Sequence, residues 1–338
     1  MTDPVLVEIL RGALVESRHR GAVAVIDADG QMALAMGDVA RPVYPRSAVK
    51  ALQAIPLVEE GAAGRFGFGD EELALACASH AGEPGHLAVV ERMLAKARLD
   101  VSALRCGTHW PSAQAAALAL ARSGTASALH NNCSGKHAGF LCLACAMGVD
   151  HADYFRPEHP VQRRVRAVLE DVTGADLTPD RCGIDGCSAP TWAIPLQSLA
   201  RGFARFGTGQ GLAPARAAAA ARLRQACAHK PWHVAGTGRF CTEIMRTFGP
   251  RVFVKTGAEG VCCGAFPEQG LGIAVKCDDG AGRAAQVIMA ALIARFLPLS
   301  EGERTALAPF ARPRLHNWNG FEVGAISVTD AINGGLRR

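Results

Sequence analysis

The sequence predicts an α+β fold in which one antiparallel sheet is assembled from both chain ends around a mainly helical middle. Short apolar runs separated by turn residues cluster before residue 40 and after residue 250. Between about residues 47 and 230, apolar side chains instead recur at spacings of three and four, the period of a helix face. A strictly parallel α/β fold would interleave strands through that middle, and none is apparent. The 338 residues are expected to form one large domain, with no repeat or low-complexity linker dividing them.

The elements follow in order. Residues 5–10 and 22–26 read as strands, and Asp29-Gly30 turns the chain into a third at 32–36. Helical spacing then marks 47–59, 85–97, 112–123, 135–147 and 160–173. The alanine run at 217–221 strengthens a helix over 214–229. Three runs, at 252–255, 261–266 and 271–277, are separated by glycine-containing turns and form a meander. A helix over about 282–296 follows, then a strand over 321–328 after the Asn319-Gly320 turn.

Composition narrows the class of protein. Apolar residues make up 49% and aromatics only 6%, so Ala, Leu and Val must fill the core. The net charge of +5 comes from 36 basic residues scattered among 31 acidic ones, without the basic block that nucleic-acid binding would need. No apolar stretch is long enough for a membrane span, and Asp3, Glu8 and Glu16 interrupt the region where a secretory signal needs an apolar core. A cytoplasmic location is expected, with the 12 cysteines reduced. Cys77, Cys142, Cys145 and Cys227 fall in helical apolar patterns and read as core residues.

Chemistry concentrates in four segments. Ser47-Ala48-Val49-Lys50 is Ser-x-x-Lys at the start of an apolar helix, where a three-residue spacing lets Ser47 Oγ meet the Lys50 amine. A serine needs such a base, and a helix N-terminus with apolar surroundings favours a neutral lysine. By itself the pattern is common in helices as a cap and a solvated lysine. A second motif, Lys255-Thr256-Gly257, ends a strand; in serine β-lactamases and penicillin-binding proteins such a strand faces the Ser-x-x-Lys helix across the pocket. The loop Ala78-Ser79-His80-Ala81-Gly82-Glu83 is equally readable as a helix connection capped by Ser79 or as a pocket edge carrying Ser79 and His80. Finally, Cys133 in HNNCSGKH and Cys187 in CGIDGCSAP sit among glycines and polar groups. Two thiolates and a nitrogen would suit tetrahedral zinc, with water in the fourth position. The spacing matches no common zinc finger, and both cysteines are also readable as buried thiols, with Asp185 as a turn residue. Generic ligand chemistry favours His137 over Lys136 as the nitrogen, because lysine is normally protonated.

The strings PRSAVK, ASHAGEPGH, HNNCSGKHAG and CGIDGCSAP, in that order, resemble the Rhizobium etli-type, or class 3, L-asparaginases. The resemblance extends from the VES-x-HRG-x-VAVID start through VKTGAEG to NW-x-G-x-x-VG. It implies a serine β-lactamase/glutaminase-like fold, hydrolysis of L-asparagine to aspartate and ammonia, and a homodimer. It further implies two Ser-Lys tandems, Ser47 with Lys50 and Ser79 with Lys255. Zinc is implied at Cys133, Lys136 and Cys187 with a water, which replaces the generic preference for His137. Asp185 would orient that water or bind the substrate ammonium, with Arg46, His80 and His137 beside the pocket. A glutaminase or another serine amidohydrolase of this fold is the nearest alternative, since one methylene is worth only about 1–3 kcal/mol in an apolar pocket. A non-catalytic zinc or redox protein would leave the Ser-Lys motifs unexplained.

Overall fold

A computed structural model describes residues 2–333. Among these residues, three strands from the start of the chain join five from its end in one eight-stranded sheet. The first three are β1 (Val5–Arg11), β2 (Leu14–Asp27) and β3 (Met32–Met36). The meander supplies β4 (Phe253–Thr256), β5 (Val261–Phe266) and β6 (Leu271–Cys277). A last hairpin supplies β7 (Arg314–His316) and β8 (Glu322–Val328). The order is β7-β8-β1-β2-β6-β5-β4, with β3 beside β2, and every pairing is antiparallel. The expected α+β class is therefore the one observed.

β2 holds the two chain ends together. Its first half pairs with β1; its second half pairs with β6 on one side and β3 on the other. The second half, Gly21 to Ile26, is buried throughout, whereas the first half is largely exposed or half-buried and carries Glu16, Arg18 and Arg20. That polarity is why only 22–26 reads as a strand from the sequence.

Two helices sandwich the sheet. Leu196–Thr208 lies against β6 and β2, so closely that a Cβ on Gly272 would stand 1.9 Å from the Ala200 carbonyl oxygen. Gly282–Phe296 covers the other face, with Met289 against Gly264 of β5. The first of these helices contains Gly202 and Gly207, poor helix formers that conceal it in the sequence. Both are packing positions: Cβ atoms there would reach the Thr173 side chain at 2.9 Å and the Ala265 side chain at 3.1 Å. Phe203 and Phe206 from this helix meet Phe253 of β4 at ring-centroid distances of 6.1 and 5.1 Å.

The middle is mainly helical, as expected, with two short ribbons, Pro42–Val43 with Ile194–Pro195 and Cys182–Ile184 with Pro190–Trp192. One expectation is corrected. Residues 47–59 do not form one helix; the chain makes a 3-10 turn at Arg46–Val49, then short helices at Lys50–Gln53 and Ile55–Glu59. Pro56 cannot donate to the preceding turn, which breaks the ladder. Among the described residues, no helix is long and apolar enough to cross a membrane.

Candidate active site

The Ser47 turn is held by its neighbours. The Pro42–Val43 ribbon delivers the chain to Pro45, whose carbonyl accepts the Ala48 N–H at 3.0 Å. Gly257, at the end of the Lys-Thr-Gly strand, lies directly beneath: a Cβ there would stand 2.5 Å from the Pro45 oxygen. This glycine makes room for the serine turn itself. Arg46, just before the serine, takes a left-handed φ of 52°, and Ser188, just after Cys187, one of 71°. Such conformations are uncommon for non-glycine residues and persist where surrounding contacts impose them.

A cavity of about 210 Å³ opens beside this turn. That is below the roughly 300–1,000 Å³ typical of drug-sized ligands and suits a small polar molecule. Ser47, Arg46, Cys133, Asp185 and Cys187 all line it. The structure thus gathers residues from three distant segments around one space. Arg46 Nε donates to Asp185 Oδ1 at 2.5 Å, setting one cation beside one anion at the wall.

The lysines are arranged differently from the simple tandem picture. Lys50 is fully buried, and its Nζ lies 2.7 Å from the Ala78 carbonyl, 3.0 Å from Ser79 Oγ and 3.0 Å from Cys133 Sγ. No hydrogen bond joins it to Ser47 Oγ among the described residues; its amine is taken up by the Ala78 carbonyl, Ser79 Oγ and Cys133 Sγ. Lys255, also fully buried, reaches Ser79 Oγ from the opposite side at 2.9 Å. Ser79 is therefore clamped between two amines. Burial, reinforced by the nearby Lys50 charge, pushes the Lys255 pKa down to about 8.

Cys133 caps the N-terminus of the buried helix Ser134–Met147, which brings Lys136 one turn on beneath it. Lys136 Nζ lies 3.1 Å from Cys187 Sγ. A hydrogen bond from Cys133, then the Lys136 charge, pull the Cys187 thiol far below its usual range. The same bond, then burial, raise Cys133, which keeps the proton of the pair. Burial alone would lower Lys136, but the two sulfurs and Asp185 outweigh it and raise its pKa. Among the described residues no three His, Cys, Asp or Glu side chains are grouped to hold a metal; two sulfurs with an amine are a set of different composition.

Both predicted histidines lie behind the cavity wall. His80 Nδ1 accepts the Gly82 N–H at 3.2 Å, so its Nε2–H donates to Ser134 Oγ, 2.9 Å away. Its ring is occupied in joining the Ser79 loop to the Cys133 helix, and burial keeps it neutral. His137 is fully buried with Nδ1 2.6 Å from the Tyr154 hydroxyl. Some lining residues carry no strong sequence signal. His109 arrives on the loop before the helix Gln114–Ser123, and Asn131 and Asn132 sit inside the HNNC string. Asn131 Oδ1 accepts the Cys133 N–H at 2.9 Å while its amide donates to the Cys106 and Gly107 carbonyls, fixing that loop to the cysteine.

The family model of L-asparaginase II matches residues 7–328. The chain belongs to the L-asparaginase II family. Every residue of the cavity wall falls inside the matched region. Among solved structures, a β-lactamase from Mycobacterium bovis is similar over 82% of this chain and 94% of its own, at 16% identity and a TM-score of 0.37. No curated protein matches the chain.

Proposed function

We propose that the protein hydrolyses L-asparagine to L-aspartate and ammonia, with Ser47 as nucleophile and a relay of buried lysines as proton carrier. The observation that carries this reading is the single small cavity at which Ser47, the Arg46–Asp185 pair and the Cys133–Cys187 pair meet. Family membership supplies the reaction class. An amino acid is a zwitterion: the Arg46 guanidinium suits its α-carboxylate, and the Asp185 carboxylate its ammonium.

In this scheme Ser47 Oγ attacks the side-chain carboxamide carbon. A C–O bond forms as the serine proton passes to Lys50, whose own proton has first moved through Ser79 to the neutral fraction of Lys255. Lys50 shares Ser79 with Lys255, so the proton can be redistributed along Lys50–Ser79–Lys255. The C–N bond then breaks, the proton leaves with the nitrogen as ammonia, and water cleaves the resulting ester to give aspartate and restore Ser47.

Zinc fits the donors on one wall. Cys133, Cys187 and Lys136 bring two sulfurs and a nitrogen together, each of which must be deprotonated to bind metal. A bound zinc would supply a positive charge that orients the substrate amino acid. The orienting work of this chain's own residues falls to Arg46 and Asp185.

Ammonia release from L-asparagine, L-glutamine and a penicillin, compared on one preparation, tests the function. Turnover of asparagine above glutamine is expected. Glutamine as the better substrate would make the protein a glutaminase, and penicillin hydrolysis without amidase activity would reject the proposal.

A further inference from the structure

Behind the cysteine pair lies a buried hydrogen-bond chain that the reaction scheme does not use. Tyr154 and His137 are both fully buried. The Tyr154 oxygen accepts the backbone N–H of Arg105 at 2.9 Å and stands 2.6 Å from His137 Nδ1. A backbone amide can only donate. The phenol must therefore place its own proton on another acceptor, and among the described residues the only one in its hydrogen bonds is His137 Nδ1. Were Nδ1 protonated, the phenolic hydrogen would be buried without a partner and its lost hydration would go uncompensated. So Nδ1 accepts, and the ring proton is on Nε2.

Nε2 is buried and has no hydrogen bond of ordinary geometry among the described residues. Cys187, 3.1 Å from the amine of the preceding residue Lys136, is the neighbour that acts most on this ring after burial. We infer that Tyr154 is a positioning residue that locks His137 as the Nε2–H tautomer, aimed at Cys187 Sγ. His137 is thereby a donor to the Cys187 sulfur and not a metal ligand. This explains why a histidine beside two cysteines yields the nitrogen position to Lys136. The inference deepens the proposed zinc site and rests on that reading for its consequence: donors behind ligands typically change metal affinity by about 10–100-fold.

The tautomer itself is tested without metal or substrate. In metal-free wild-type protein with 15N-labelled histidine, long-range 1H–15N spectra report which ring nitrogen is protonated, and His137→Gln assigns the signal by its loss. A protonated Nε2 with a bare Nδ1 is expected; a protonated Nδ1 overturns the inference. Zinc affinity, measured by chelator competition, is expected to fall about 10–100-fold in Tyr154→Phe. His137→Gln should weaken binding yet keep one zinc per chain, and the double variant should lose no more than the worse single one. Loss of stoichiometric zinc in a folded His137→Gln protein would make His137 a ligand and overturn the assignment. If wild type binds no zinc, the metal reading fails while the tautomer measurement still decides the Tyr154 role.

Discussion

Lys255 shows how burial sets chemistry at one residue. Removed from water and placed near Lys50, its amine loses its proton at about pH 8 instead of the usual 10.5. At pH 7 about a tenth of it is neutral, enough to accept a proton during turnover. The sign is fixed: the neutral form grows as pH rises, so kcat/KM is expected to climb through about pH 8 and level off above it. A pH series on wild type and Lys255→Met checks this, the variant losing most activity and that limb of the profile. Because the folded pKa lies below the unfolded one, the unfolded chain binds more protons between about pH 8 and 10.5, and this lysine adds stability as pH rises through that window. Asp185 gives a second expectation. Asp185→Asn removes the anion paired with Arg46 at the cavity wall, so under the proposed binding mode KM for asparagine should rise about tenfold or more, with a smaller change in kcat.

At the scale of elements, close contacts decide what the chain can do. The Lys-Thr-Gly strand and the serine turn touch through Gly257, where even a methyl group would meet the Pro45 oxygen. Gly257→Val is expected to displace the turn, costing about 1–3 kcal/mol of stability and a larger share of activity, read by thermal unfolding and ammonia release. Much of this layer was legible. The strands 261–266 and 271–277 are readable as short apolar runs between glycine turns with the helix 282–296 after them, the helix 160–173 from its apolar spacing, and the helix 214–229 from its alanine run. What stayed hidden has physical reasons. The helix Leu196–Thr208 is stabilised by packing through glycines that local propensity counts against it. The helix Glu301–Ala311 buries only Leu307, leaving almost no apolar stripe to read. The motif strings located the cavity segments, but not which lysine meets which serine, since that depends on partners 29 and 176 residues away. His109 and Tyr154 matter only through the fold, and no local pattern marks them.

Across the whole molecule, the sheet joins the chain ends and so carries Lys255 to Ser79. Phe253 is the anchor of that strand, two residues before the lysine, stacked on Phe203 and met edge-on by Phe206. Phe253→Ala is expected to cost about 3–5 kcal/mol, checked by denaturant unfolding, and to loosen the Lys255–Ser79 contact with it. Neighbouring segments converge from elsewhere: the first helices bring Ser47 and Lys50, the middle brings Cys133 and Lys136, and a short ribbon brings Cys187. Ser47 is the proposed attacking group, and the whole reaction scheme follows from it. The most direct measurement is asparagine turnover by Ser47→Ala beside wild type, with folding and zinc content matched. A fall of about a thousandfold or more is predicted, with no covalent adduct detectable by mass spectrometry after quenching. Near-normal turnover in Ser47→Ala would contradict it and assign the nucleophile elsewhere.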